Sequence, residues 1–194
     1  MSVRLSREEA WSLLTEWVQS ESLRRHCLAV EAAMAAYARA RGEDEELWSV
    51  VGLLHDMDYE RYPDMSTGHP REAMAELERR GVDPVVIRAI ASHADYLGVA
   101  RESPLEKTLY AVDELSGFIL ACCYVRPEGI NGLTPKSVKK KLKQPSFAAA
   151  VNRDEVRAGA EELGVDFDEH VAFVIAALAE RADELGIAGA SAAA

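Results

Sequence analysis

Apolar positions recur along this chain at three- and four-residue steps almost from end to end, the spacing of helix faces rather than of strands. Ala10, Leu13, Leu14 and Trp17 share one side of a first helix. Its start is the capping box Ser6-Arg7-Glu8-Glu9, in which Ser6 accepts from the Glu9 amide and Glu9 reaches back. Leu23, Cys27, Val30, Met34 and Tyr37 mark a second helix stopped by Gly42. The acidic run Glu43-Asp44-Glu45-Glu46 suits the first turn of a third, whose inward stripe is Leu47, Val50, Val51 and Leu54. Tyr59–Gly68 reads as a polar loop, and His69-Pro70 opens a fourth helix. Asp83-Pro84 and Ser103-Pro104-Leu105-Glu106 start two more. Beyond Tyr124 comes a loop, then a short lysine-rich helix capped by Thr134-Pro135. Asn152-x-x-Glu155 and Asp166-x-x-Glu169 cap the last two helices, the second expected to run to Gly186. No strand-period segment of useful length and no internal repeat is present. The expected fold class is all-α, with a helical core over residues 1–125, a helical appendage packed on it over 126–187, and a frayed tail over 188–194.

Several polar side chains interrupt these stripes. His26 falls inside the stripe of the second helix, and His55, four residues after Val51, continues that of the third and is followed by Asp56. His93 follows Val86 and Ile90 at i+7 and i+3, Asp113 lies on the side of Leu105, Leu109 and Val112, and His69 stands at a loop end. An unpaired polar group on such a face is costly, so these positions call for partners. Neutral imidazole together with carboxylate suits Fe, Mn, Co, Ni or Zn better than the all-oxygen preferences of Mg or Ca. Six protein ligands are too many for one catalytic ion, which needs open positions. They fit two ions about 3.5–4 Å apart if a carboxylate bridges, and Asp56 is central in the series. Any one histidine on a helix face is more often a packed core residue, and His170, beside Phe167 and Val171, is read that way, as structural or surface.

Composition narrows the classes further. Lys and Arg total 22 against 33 acids, a formal charge of −11, which disfavours duplex nucleic acid and suits a bound cation. The three cysteines, Cys27, Cys122 and Cys123, have no C-x-x-C spacing and argue against a disulfide framework or a zinc knuckle. The N-terminus lacks the apolar core of a signal peptide, and Val171–Ala179 is far short of the ~20 residues that cross a bilayer. A soluble, cytoplasmic protein is expected, with its oligomeric state open.

The order His26, His55-Asp56, His69, His93, Asp113 resembles the HD-domain superfamily of metal-dependent phosphohydrolases. The pieces carry their local contexts: Arg25-His26, Gly52-Leu-Leu-His-Asp56, Ser92-His93 and Ala111-Val-Asp113, over roughly Leu23 to Val125. In layout the chain looks most like the branch of di-iron hydrolases that cleave diadenosine tetraphosphate symmetrically. It departs from many HD proteins after the doublet, where Met57-Asp58-Tyr59-Glu60 stands in place of a small residue, Gly and Lys. The resemblance implies an HD-like helical bundle and two divalent ions, Fe or Mn ahead of Zn, Co, Ni or Mg. His26, His55, Asp56 and Asp113 would hold the first ion, and Asp56 would bridge to a second held by His69 and His93. The implied substrate is a small, nucleotide-like phosphoester or phosphoanhydride, attacked by a water that the ions and Asp56 hold. Asp58 is expected either to accept a proton or to bond a ligand imidazole. Arg61, Lys139, Lys140 and Arg153 are candidate partners for phosphate, against the plain reading of the lysine run as a solvated face. Three rivals stand: a mononuclear HD-type nucleotidase, a metal-stabilised nucleotide-binding module without catalysis, and an oxygen-dependent oxidase using the same ions.

Overall fold

The computed structural model describes residues 2–190. Among them the chain is all-helical, as expected, with one isolated parallel bridge, Val3 to Val82, as its only extended pairing. The chain divides into two compact units, Met1–Tyr110 and Ala111–Ala194.

The first unit holds α1 (Arg7–Trp17), α2 (Glu21–Arg41), α3 (Glu45–Leu54), α4 (Arg71–Arg79), α5 (Pro84–His93) and a 3-10 turn over Asp95–Leu97. The helix starts follow their caps. Ser6 and Glu9 form the full capping box, Asp44 accepts from the Leu47 amide, and Asp83 accepts from the Val85 amide ahead of Pro84. Each such cap stabilises its helix by about 1 kcal/mol. Gly42 ends α2 with φ +70°, a conformation that favours glycine.

Helix α3 packs against α1, α2 and α5, and α4 packs against α5. The stripe expected on α2 is too modest a description: every residue from Cys27 to Ala38 is buried, Glu31 included, because its alanines leave no polar face to turn outward. Leu47, expected inward on α3, is only half-buried, whereas Trp48 and Ser49 are buried. Glu31 is 3% exposed and is held by a two-pronged pair from Arg7, Nε to Oε1 at 2.7 Å and Nη2 to Oε2 at 3.1 Å. That fork ties the start of α1 to the middle of α2. Directly against it lies Gly52 of α3, where an added Cβ would stand 2.8 Å from the Glu31 Cα. Two helix backbones approach this closely only at glycine.

α6 (Pro104–Tyr124) begins in the first unit, where the Ser103 hydroxyl accepts from the Glu106 amide and Glu106 accepts from the Glu102 and Ser103 amides. The rest of α6 belongs to the second unit with α7 (Pro135–Leu142), α8 (Arg153–Leu163) and α9 (Phe167–Ala179). There α9 packs on α7 and α8. Thr134, Asn152 and Asp166 cap α7, α8 and α9 as their sequence contexts imply. Helix α9 ends at Ala179 and not at Gly186. Past it the amides of Arg181 and Ala182 bond the carbonyls three residues back, tightening the chain into turns that Gly186, at φ +66°, brings to a close. Of the expected tail, Ala188 accepts from the Asn131 side chain at 2.7 Å and the Ala190 amide donates to Pro127 at 2.9 Å, while 191–194 lie outside the described residues. No helix among the described residues is long and apolar enough to cross a membrane.

Candidate metal centre

In the first unit, the C-terminal ends of α3 and α5, a residue near the start of α2 and the loop before α4 bring four imidazoles around one carboxylate. The close seating of α3 at Gly52 carries His55, three residues on, toward α2, so that its Nε2 lies 3.2 Å from the Nε2 of His26. Asp56 stands between two pairs of rings. Its Oδ2 is 3.5 Å from the Nε2 of both His26 and His55, and its Oδ1 is 3.4 Å from that of His69 and 3.6 Å from that of His93. One ligand atom each of His26, His55 and Asp56 lie within 4.8 Å of one another, and so do those of Asp56, His69 and His93.

The second nitrogen of three rings is already committed. His55 Nδ1 is 2.8 Å from the Gly52 carbonyl, His93 Nδ1 is 2.5 Å from that of Ile90, and His69 Nδ1 is 2.7 Å from Asp58 Oδ1. Carbonyl and carboxylate oxygens only accept, so each Nδ1 carries a proton and each ring turns its Nε2 toward Asp56. The Nε2 to carboxylate separations lie beyond the 2.7–3.2 Å of a good hydrogen bond. Such a set is satisfied by a cation, which takes nitrogen and oxygen ligands at about 2.0–2.2 Å. The donor set therefore fits a divalent transition metal.

Asp58 has no exposed surface, and both its oxygens are used: Oδ1 by His69 and Oδ2 by the Ala73 amide of α4 at 2.8 Å. His69 is gripped further by the Tyr96 hydroxyl, which donates to its carbonyl at 2.8 Å, and by Tyr59, whose ring meets the imidazole edge-on at 5.3 Å. The Tyr96 phenol is pushed up to about 12, mainly by burial, with further raising by Asp56, Asp58 and Tyr59 against lowering by Arg71. The sequence reading missed Tyr59, Tyr96 and Arg71. All three sit within three residues of an expected ligand or of Asp58, the one signal that marks them out.

The cations expected on phosphate have these partners. Arg61 donates to the Glu16 carbonyl at 2.6 Å and lies over the Trp17 ring. In the second unit, Lys139 pairs with Asp168 at 2.7 Å and Lys140 is exposed. Arg153 donates to the carbonyls of Leu142, Gln144, Phe147, Ala148 and Val151. Asp113 is half-buried on α6, the third residue of that unit. His170 is buried and donates from Nε2 to the Ala111 carbonyl at 2.9 Å, a structural histidine and not a surface one.

Residues 23–117 match the family model described as HD domain, a stretch that contains all six expected ligands. No curated protein and no solved structure matches the chain. The match supports the resemblance at the level of the superfamily, and nothing in the comparisons selects the diadenosine tetraphosphate branch.

Proposed function

We propose that this chain is a metal-dependent phosphohydrolase with a dinuclear centre that cleaves a phosphoester or phosphoanhydride of a small, nucleotide-like substrate. HD domains are generally metal-dependent phosphohydrolases, so the matched stretch supports the reaction class. The observation that carries the dinuclear reading is the division of labour at Asp56, one oxygen toward His26 and His55 and the other toward His69 and His93. A carboxylate so placed is suited to bridge. In this reading His26, His55, Asp56 and Asp113 hold one ion, and Asp56, His69 and His93 hold the other, with iron or manganese the preferred metals.

Divalent ions at such a centre supply a water nucleophile at neutral pH and neutralise phosphate charge. The protein's part is to fix the ligands. The Gly52 and Ile90 carbonyls hold His55 and His93 in one tautomer, and Asp58 does the same for His69. Asp58 acts on the reaction through His69, since burial and two hydrogen bonds leave it no oxygen for a substrate. The branch that splits diadenosine tetraphosphate is the finer version of this reading.

Elemental analysis of protein purified without chelators, joined to a panel of nucleotides and dinucleoside polyphosphates with Mn²⁺ or Fe²⁺, tests it. Two equivalents of metal and hydrolysis of at least one panel member, read as released phosphate or as nucleotide product, are expected, and Asp56→Ala should lose both while helicity persists by circular dichroism. One equivalent with retained turnover favours the mononuclear nucleotidase. Hydrolysis retained in Asp56→Ala would sink the proposal.

A further inference from the structure

Single exposed tyrosines are ordinary on a protein surface. Tyr59 and Tyr96 differ because they come from separate elements, the turns after α3 and the 3-10 turn after α5, and converge on one residue, His69. Tyr59 is 38% exposed and Tyr96 45%, yet each is fixed. The Tyr96 hydroxyl is committed to the His69 carbonyl, and the Tyr59 ring stands at 89° to the imidazole. Both are thus placed before a ligand arrives: Tyr96, its hydroxyl engaged, leaves ring surface to solvent, and Tyr59, its ring against the imidazole, leaves part of its side chain exposed beside the candidate ligand His69. The Arg71 guanidinium lies 5.9 Å from the Tyr96 ring centre, oriented by its bond to the Met65 carbonyl. It adds positive charge to this side of the site.

Rigid aromatic faces with an adjoining cation beside a metal-type centre suit a ligand that joins an anionic group to a planar ring. We propose that Tyr59 and Tyr96 form a stacking platform for the base of a nucleotide whose phosphate sits at the His/Asp centre, making them specificity-determining residues. The proposal rests on the phosphohydrolase reading for the place of the phosphate. Stacking of a base on a protein aromatic ring changes affinity by roughly five- to 150-fold and tolerates different bases, since every base has a π face. The platform therefore selects nucleotides over sugar phosphates more sharply than one base over another.

The test compares AMP and CMP with ribose 5-phosphate, which lacks only the base, by titration calorimetry on the Mn²⁺-loaded full chain, with phosphate release followed on the same preparation. At least one of the two nucleotides should bind about tenfold or more tightly than ribose 5-phosphate. Tyr96→Leu and Tyr59→Leu should each cut that preference several-fold, while Tyr96→Phe, which keeps the ring and drops the hydroxyl, retains it. Tyr59→Leu leaves the bond to the His69 carbonyl in place, so it decides the matter if Tyr96→Leu fails to fold. Equal binding of nucleotide and sugar phosphate, binding of neither, or a preference unchanged in the leucine variants overturns the platform. A preference that behaves as expected, with no hydrolysis of these three compounds or of nucleoside and dinucleoside polyphosphates by the same preparation, upholds the platform and counts against the phosphohydrolase reading alone.

Discussion

Asp58 Oδ1 lies 2.7 Å from His69 Nδ1, and the carboxylate's other oxygen takes the Ala73 amide, so the charge that orients this imidazole is itself anchored to the first turn of α4. Both partners are donors. An asparagine at position 58 fits the space but must present its amide N–H₂ to one of them. Turned toward His69, it makes Nδ1 an acceptor and moves the ring proton to Nε2, the atom that faces Asp56. On the dinuclear reading proposed above, Asp58→Asn is therefore expected to weaken the ion that His69 and His93 would hold by about 10–100-fold while sparing the other. Metal titration followed by elemental analysis should show about one equivalent retained at limiting metal. Unchanged affinity for both ions would show that Asp58 serves only the backbone of α4.

Gly52 governs the approach of α3 to α2, because the atoms that a Cβ would meet are the Glu31 Cα and amide nitrogen, at 2.8 and 2.9 Å. Backbone cannot turn aside as a flexible side chain can. Gly52→Ala should then push the helices apart, lowering stability by about 1–3 kcal/mol and opening the 3.2 Å spacing of His26 and His55. Thermal unfolding and metal content should fall together. A variant with lower melting temperature and full metal content would separate the seating of α3 from the centre.

What the sequence made legible was local. Ser6, Asp83, Asn152 and Asp166 cap helices because their oxygens reach amides two or three residues on. His55 and His93 were legible as inward because each prolongs an apolar stripe by a helical step. The grip of Asp58 on His69 was half legible: its two possible roles could be named, but choosing between them needs the path of the loop across 11 residues of separation. The Arg7–Glu31 fork joins residues 24 apart on different helices, and the burial of α2 on every side depends on its surroundings, so neither has a local signature. Gly52 stood in the sequence as the first residue of the Gly52-Leu-Leu-His-Asp56 stretch, but the Glu31 backbone pressed against it comes from another helix and has no local signature.

Arg153 donates to five backbone carbonyls around the start of α8 and lies over the Phe118 ring at 5.5 Å. Carbonyls at the ends of turns are hard to satisfy otherwise, and only a planar fork serves so many at once. Arg153→Lys keeps the charge and loses the fork. If Arg153 is a clamp, Arg153→Lys and Arg153→Ala should both lower stability by about 1–3 kcal/mol in chemical denaturation. If its charge instead meets phosphate, the lysine variant should keep its stability and much of the turnover.

His170 carries the clearest acid sensitivity outside the centre. It is 1% exposed, and burial lowers its pKa below the ordinary 6.5, with the bond to the Ala111 carbonyl opposing that shift. Above 6.5 the imidazole is neutral folded or unfolded, and its contribution is complete. As pH falls below 6.5 the unfolded chain takes up a proton that the buried ring refuses, so stability declines until the lowered folded pKa is reached. One such group gives a slope of at most about 1.4 kcal/mol per pH unit. His170→Gln keeps a donor for the Ala111 carbonyl and removes the titration. Denaturant unfolding of the metal-free chain between pH 7.5 and 5 (roughly the span over which an ordinary histidine titrates) should show a shallower loss in His170→Gln than in the parent. Parallel curves would mean that the proton uptake of acid unfolding lies elsewhere.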